Sequence, residues 1–307
     1  MQQLRSAPVS RGNVRFTYST EDQPLIQRAI IQAIEKLGGQ RKLKKLYDEH
    51  IRNPRNGETF FEAAIRLLKL DVAYDARMLD KVPRTGPVIF VANHPYGVLD
   101  GVTLTWLAMK VRPDVKVLAN SVLCQAPDAK ENLLPVDFGP NPDARETTLQ
   151  TRLAAQRWVR EGNAIGIFPG GGVSTSEKPL KGRAIDLPWA PFTAKLIHSS
   201  KATVVPVYFC GQNSRMFQLA SHLSMTLRLS LVFRETARRI GTRLEIRIGE
   251  PIPYAELAAL KDRTELTREL RRRTFGLGGI NAKLGEAEYM REFQLKKGGL
   301  LKRLTDD

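Results

Sequence analysis

The hydrophobic texture of the chain changes near residue 86. Upstream, apolar residues recur at helical spacing. In "QPLIQRAIIQAIEKLGG", Ile26, Ile30, Ala33, Ile34 and Leu37 share one face, which stops at Gly38-Gly39. The basic run "QRKLKKLYDEHIR" follows, with Leu43, Leu46, Tyr47 and Ile51 set among its charges. After the breaker "NPRNGE", Thr59 and Glu62 have capping-box spacing and open a third helix, "TFFEAAIRLLKL". These helices have two readings. One is a layer docked on the core; the other is an interfacial platform, apolar into lipid and with Arg66 and Lys69 toward headgroups.

Downstream, "PVIFVAN", "VKVLAN", "AIGIFP" and "TVVPVYF" are short β-branched runs, as expected of strands buried on both faces. Helical patterns lie between them. "ARETTLQTRLAAQRWVREG" sets Leu149, Leu153 and Trp158 on one side and stops at Gly162, and "LPWAPFTAKLIHSS" is a second helix. Residues 217–239 form an amphipathic stretch striped by Leu223, Leu227 and Leu231. "TRLEIRIGEPIPY" is a further strand and turn, followed by a charged helix over 255–273. The alternation predicts an α/β fold: a mostly parallel central sheet flanked by helices, preceded by N-terminal amphipathic helices. The expected division is an arm and helices over 1–70, one catalytic domain over 71–275 and a basic extension over 276–307.

Composition narrows the partners. With 42% hydrophobic and 26% charged residues, the 307-residue chain is globular. Its formal charge of +16 favours an anionic partner: nucleic acid, an anionic membrane surface or an acidic carrier protein. No nucleic-acid reading motif accompanies the charge, so no specific nucleic acid is expected. Cys124 and Cys210 are too few for a disulfide framework or a thiolate zinc cluster, and His50, His94, His198 and His222 lack metal-ligand spacing, so no metal is expected. The start has no apolar signal region, and no run reaches the ~18 apolar residues of a membrane span. The expectation is a cytoplasmic protein, peripheral at the inner face of the cytoplasmic membrane.

Three strand-end stretches carry candidate chemistry. "ANHPYGVLDG" reads either as a turn with Asp100 capping a helix, or as a general base, His94, with Asp100 holding one ring nitrogen. "GIFPGGGVSTS" is a flexible turn or a loop whose backbone N–H groups approach an anion. No Walker lysine follows it. "VVPVYFCGQNSRMF" ends in a polar Gln212-Asn213-Ser214-Arg215 cluster, either an active-edge loop or a connection capped by Ser214. Cys210 has no evident base nearby and is a poor nucleophile candidate.

In this order the stretches resemble the glycerolipid (lysophospholipid) acyltransferase superfamily. "NHPYGVLDG" is similar to its histidine–aspartate block, "FPGGGVS" to its Phe-Pro-Glu-Gly block, "VVPVYFCGQNS" to its Val-Pro block and "IGEPIP" to its closing signature. The resemblance covers about residues 75 to 275 and is greatest to the bacterial hemolysin/aminolipid acyltransferase branch. It implies direct transfer of an acyl group from acyl-CoA or acyl carrier protein, with no other cofactor, to a lysolipid hydroxyl at the membrane surface. His94 would take the hydroxyl proton and Asp100 would fix the imidazole tautomer. N–H groups of Gly170, Gly171 and Gly172 would face the oxyanion. Asn93, Ser174, Lys181, Arg183, Asn213 and Arg215 complete the expected substrate-binding set.

The chain departs from that pattern twice. Five residues separate His94 from Asp100 where the family has four, a swing of ~100° on a continuous helix, so the pair must straddle a loop. Gly170 and Val173 stand where the family carries a glutamate and an arginine that grip the acceptor's phosphate. Lysophosphatidic acid is therefore no better an expectation than a lyso-aminolipid. A membrane-binding relative without catalytic activity is the alternative expectation.

Overall fold

A computed structural model describes residues 28–29, 31–32, 35–36, 38–120, 126–136 and 142–280. The stripe of Ile26, Ile30, Ala33, Ile34 and Leu37, Cys124 and nearly all of the 276–307 extension lie outside the described residues. The elements are α1 (Gln40–Arg52), α2 (Phe60–Leu67), β1 (Asp71–Ala73), α3 (Ala76–Asp80), β2 (Val88–Ala92), α4 (Val98–Met109), β3 (Lys116–Asn120) and β4 (Leu133–Val136). There follow α5 (Pro142–Arg160), β5 (Ala164–Ile167), β6 (Thr175–Lys178), β7 (Lys181–Ile185), α6 (Phe192–Ser200), β8 (Thr203–Phe209), α7 (Arg215–Leu223), α8 (Met225–Arg238), β9 (Arg243–Ile248), α9 (Tyr254–Leu257) and α10 (Arg263–Leu277).

Seven strands form one sheet in the order β1-β9-β8-β2-β5-β3-β4, and β6-β7 is a separate antiparallel hairpin. Only the β8–β9 pairing of the large sheet is antiparallel. The expected mostly parallel α/β sheet is present. The reason is legible in β2, the central strand, whose five residues are all fully buried. Val88, Phe90 and Ala92 join the cluster built with α2 and α4, while Ile89 and Val91 join the cluster under α5, α6 and α10. A strand with helices on both faces needs apolar side chains on both, and each large one contributes about 1.5–3 kcal/mol by burial.

Helices α1 and α2 turn most of their apolar residues inward, with Ile51 of α1 left exposed. Phe61 and Ile65 of α2 are core residues, and Leu43, Leu46 and Tyr47 of α1 pack against the same cluster. The Thr59–Glu62 capping box forms as expected. α1 and α2 thus form a docked layer.

Three helix assignments need correction. On α5, Leu149 and Leu153 are exposed and the buried stripe is Thr151, Ala155 and Val159. Small residues let that helix lie close to the sheet, and the leucines fall on the other side. The 217–239 stretch is two helices that part at Ser224, whose extended backbone (φ −161°) ends α7. Leu231 is buried in the α7–α8 cluster while Leu223 is exposed, so they share no stripe. The helix expected over 255–273 is also two, α9 and α10, the second opened by Asp262 accepting from the Glu265 N–H.

Candidate active site

β8, β2 and β5 are adjacent and parallel, so the segments leaving their carboxyl ends share one edge of the sheet. The first segment carries His94. Gly97 adopts φ +78°, a conformation that favours glycine, and this lets the chain turn from β2 into α4. The turn absorbs the extra residue between His94 and Asp100: His94 Nδ1 lies 3.0 Å from Asp100 Oδ2. Asp100 occupies the third position of α4 rather than the N-cap, which is Gly97. Its Oδ2 also accepts from the N–H groups of Tyr96 (2.7 Å) and Gly97 (2.9 Å). One oxygen therefore closes the turn and faces the imidazole. Asp100 is fully buried, and that desolvation pushes its carboxyl above the usual range against the pull of His94 and the two amides. The His94 ring stacks on Phe168 at 4.2 Å and is 18% exposed, so Nε2, the nitrogen turned from the carboxylate, is the one left for chemistry.

The glycine loop is held by a residue that the sequence reading missed. Asp186, after β7, is fully buried. Its Oδ1 accepts from the His94 N–H (3.1 Å) and the Ser174 hydroxyl (2.5 Å), and its Oδ2 from the Trp189 indole (3.0 Å). The Ser174 N–H in turn donates to the His94 carbonyl at 2.7 Å. Burial raises the Asp186 carboxyl above its ordinary range, with Ser174, His94 and Trp189 pulling the other way. A Cβ on Gly170 would sit 2.9 Å from Asp186 Cβ, so the absence of a side chain at 170 is what admits this carboxylate. Arg228 of α8 donates to the carbonyl of Val173 and to Thr175 Oγ1. A carboxylate and a guanidinium thus reach positions 170 and 173 from elsewhere in the chain.

The other expected residues fall into two groups. Asn93 does not point into the opening; its side chain exchanges hydrogen bonds with the backbone of Phe209 (3.0 and 2.7 Å) and extends the β2–β8 ladder by one rung. Ser174 is bound to Asp186, and the Gly171 N–H closes a turn on Phe168. Asn213 is 2% exposed and both polar atoms of its side chain lack a hydrogen-bond partner among the described residues. Lys181, Arg183 and Arg215 are brought together, but on the surface around the β6-β7 hairpin, where Arg215 donates to the Gly182 carbonyl at 2.8 Å. Ser214 caps α7 and is held by Glu235 (2.8 and 2.7 Å). Cys210 is no nucleophile at neutral pH, since burial and then Glu245 push its thiol to about 11.

Asp186 left only a faint signal: a lone acid in "AIDLPW", in the first residues after an unanticipated hairpin, whose role depends on a contact 92 positions away.

The arrangement is an imidazole, a buried carboxylate behind it and a glycine loop at the edge of a parallel sheet, a geometry suited to taking a proton from a hydroxyl. The profile of the Acyltransferase family matches residues 50–282, and the chain belongs to that family. It is 27% identical over 206 residues to a lyso-glycine lipid O-acyltransferase of Phocaeicola vulgatus, covering 64% of this chain and 70% of the relative. It is 24% identical over 246 residues to the enzyme of the same name from Bacteroides thetaiotaomicron, covering 78% of this chain and 86% of that one. The crystal structure of the 1-acyl-sn-glycerophosphate (LPA) acyltransferase, PlsC, from Thermotoga maritima superposes with a TM-score of 0.46 at 15% identity, over 86% of this chain and 84% of that one.

Proposed function

We propose that the protein transfers a fatty acyl group from an acyl thioester to the hydroxyl of a lysolipid, working peripherally at an anionic membrane surface. His94 Nε2 removes the hydroxyl proton as the oxygen attacks the thioester carbonyl. The tetrahedral intermediate then expels the thiolate, which takes the proton back from the imidazolium, leaving an ester and a thiol. Asp100 keeps the proton on Nδ1 and stabilises the imidazolium. The N–H groups of Gly170 and Gly172 are the loop's candidates for the oxyanion. The observation that carries the reading is the 3.0 Å His94–Asp100 pair, with the His94 side chain 18% exposed.

The relatives' names make a lyso-aminolipid such as a lyso-glycine lipid the first acceptor to try. Asn213, Lys181, Arg183 and Arg215 are assigned to binding it, as is Arg228 near the glycine loop. Acyl-CoA and acyl carrier protein are the donors to compare. The test is mass spectrometry of products from wild type and His94→Ala, with lyso-glycine lipid and lysophosphatidic acid as acceptors. A diacyl product that falls by at least about 10³-fold in the variant supports the assignment. Equal product from both removes His94 as the base.

A further inference from the structure

The apolar residues that this fold leaves outside are unevenly placed. Of the eight large exposed hydrophobics among the described residues, five lie on α7, at the start of α8 and on the β6-β7 hairpin. α7 buries Phe217, Gln218 and Ala220, as a docked helix should. Its opposite face, which would ordinarily be polar, carries Met216, Leu219 and Leu223 at i, i+3 and i+7, exposed by 43%, 37% and 68%. Met225, the first residue of α8, is exposed by 66%, and Leu180, at the hairpin tip beside Pro179, by 63%.

Helix and hairpin form one surface. Ser176 donates its N–H to Gln218 Oε1 and His222 Nε2 meets the Ser176 carbonyl, both at 2.8 Å, and Arg215 reaches Gly182. The exposed charges on these two elements are the cations Lys178, Lys181, Arg183 and Arg215, and Glu177 of the hairpin is half-buried.

We infer that this surface, formed by α7 and the β6-β7 hairpin, is where the protein docks on an anionic lipid bilayer, with Leu180, Leu223 and Met225 entering the interface and the four cations meeting headgroups. The inference rests on the lysolipid reading above and names the face that meets the membrane. Large apolar side chains at a hairpin tip and a helix end, ringed by cations, match an interface that is apolar below and anionic above. The position suits the chemistry too. β6 begins one residue after Ser174, which is bonded to the His94 carbonyl, so the tip stands roughly one four-residue strand, ~13 Å, from the base. Docked this way, the enzyme meets an acceptor hydroxyl at headgroup level without drawing the lipid out of the bilayer. Helices α1 and α2 offer no comparable face, since Leu43, Leu46, Tyr47, Phe61 and Ile65 pack inward and Ile51 is their one large exposed hydrophobic.

The test uses the full chain and the triple variant Leu180→Ser/Leu223→Ser/Met225→Ser in flotation with vesicles of equal parts phosphatidylcholine and phosphatidylglycerol, and with phosphatidylcholine alone. The wild type is expected to bind the mixed vesicles more tightly than the neutral ones. The variant is expected to bind the mixed vesicles at least about tenfold more weakly, with an unchanged melting temperature and unchanged transfer to a short-chain acceptor dissolved as monomers. Wild-type vesicle affinity in the variant overturns the inference. So does a wild-type dimer that the substitutions split, which makes the surface a self-interface. A loss confined to turnover with acyl carrier protein overturns it as well, because the surface then docks a carrier. Flotation needs no catalysis, so surface-dependent binding by an enzyme inert toward every lysolipid would sink the proposed activity and leave this inference standing.

Discussion

The two ends of the central sheet both hold aspartates, half-buried at one end and fully buried at the other, and they treat them in opposite ways. At the amino ends of β2 and β5, Asp114 receives a two-pronged bond from Arg112 (2.9 and 2.7 Å) and the Ala164 N–H (3.0 Å). Arg112, 2% exposed, also donates to the carbonyls of Gly86 and Gly162. Burial pushes the Asp114 carboxyl up, but Arg112 together with the Ala164 and Asp114 amides outweighs it and holds the group below the usual range. At the carboxyl ends, Asp100 and Asp186 receive amide, hydroxyl, indole and imidazole groups instead of a guanidinium, and burial leaves both raised. A permanent ion pair suits an end that only holds strands together. The end proposed to handle a proton is better served by carboxylates whose charge is incompletely compensated, because they respond to the ring beside them.

Replacing single groups sharpens the contrast. Asp100→Asn keeps an acceptor for the Tyr96 and Gly97 amides but loses the charge behind His94. Turnover should fall by about a thousandfold or more with little change in melting temperature; a drop under tenfold would show that the aspartate matters only to the turn. Arg112→Ala should do the reverse, costing about 3–5 kcal/mol in urea denaturation while the folded fraction keeps its turnover. Asp186→Asn should lower kcat by roughly ten- to a hundredfold with KM near wild type, since it places the His94 main chain without touching substrate. A change in KM alone would assign it to acceptor binding.

The smallest effect is in the pH dependence of stability, and its sign differs between the ends. The Asp100 carboxyl is raised in the folded state, so wild type loses stability as pH rises through that value. The Asn variant is spared this, and the difference in melting temperature should move in its favour from acid toward neutral pH. Asp114 is lowered, so its contribution is present above its ordinary value of 3.8 and fades as pH falls through the lower folded value. In Asp114→Asn the deficit against wild type should therefore shrink at acid pH.

What could be read from the chain was what local pattern determines. β2, β3, β5 and β8 announced themselves as apolar runs, and the His94 turn could be inferred because five intervening residues cannot align the pair on a helix. The outward leucines of α5 were misread because periodicity names a stripe without saying which stripe faces the sheet. Ser224 carries no breaker signature, and only the packing of α8 against α7 requires the bend there. Asn93 looked like a ligand for substrate because its partner, the backbone of Phe209, is invisible in sequence. Asp186 was missed for the same reason. Its partners, His94, Ser174 and Trp189, come from separate segments that only the finished fold assembles.

The rung between Asn93 and Phe209 has a consequence for how the protein comes into being. Its two ends are 116 positions apart, and a ribosome adding about 5–20 residues per second takes on the order of ten seconds to cover that distance. During that interval the segment bearing His94 lacks the strand that completes its edge, and Asp186 has not yet reached it for most of the time. The segment bearing His94 is therefore not set until β8 has been made, and a chain interrupted before β8 would lack the rung that holds it. Closure of that rung reports that the chain has been made as far as β8, with β9 and α10 still to be added.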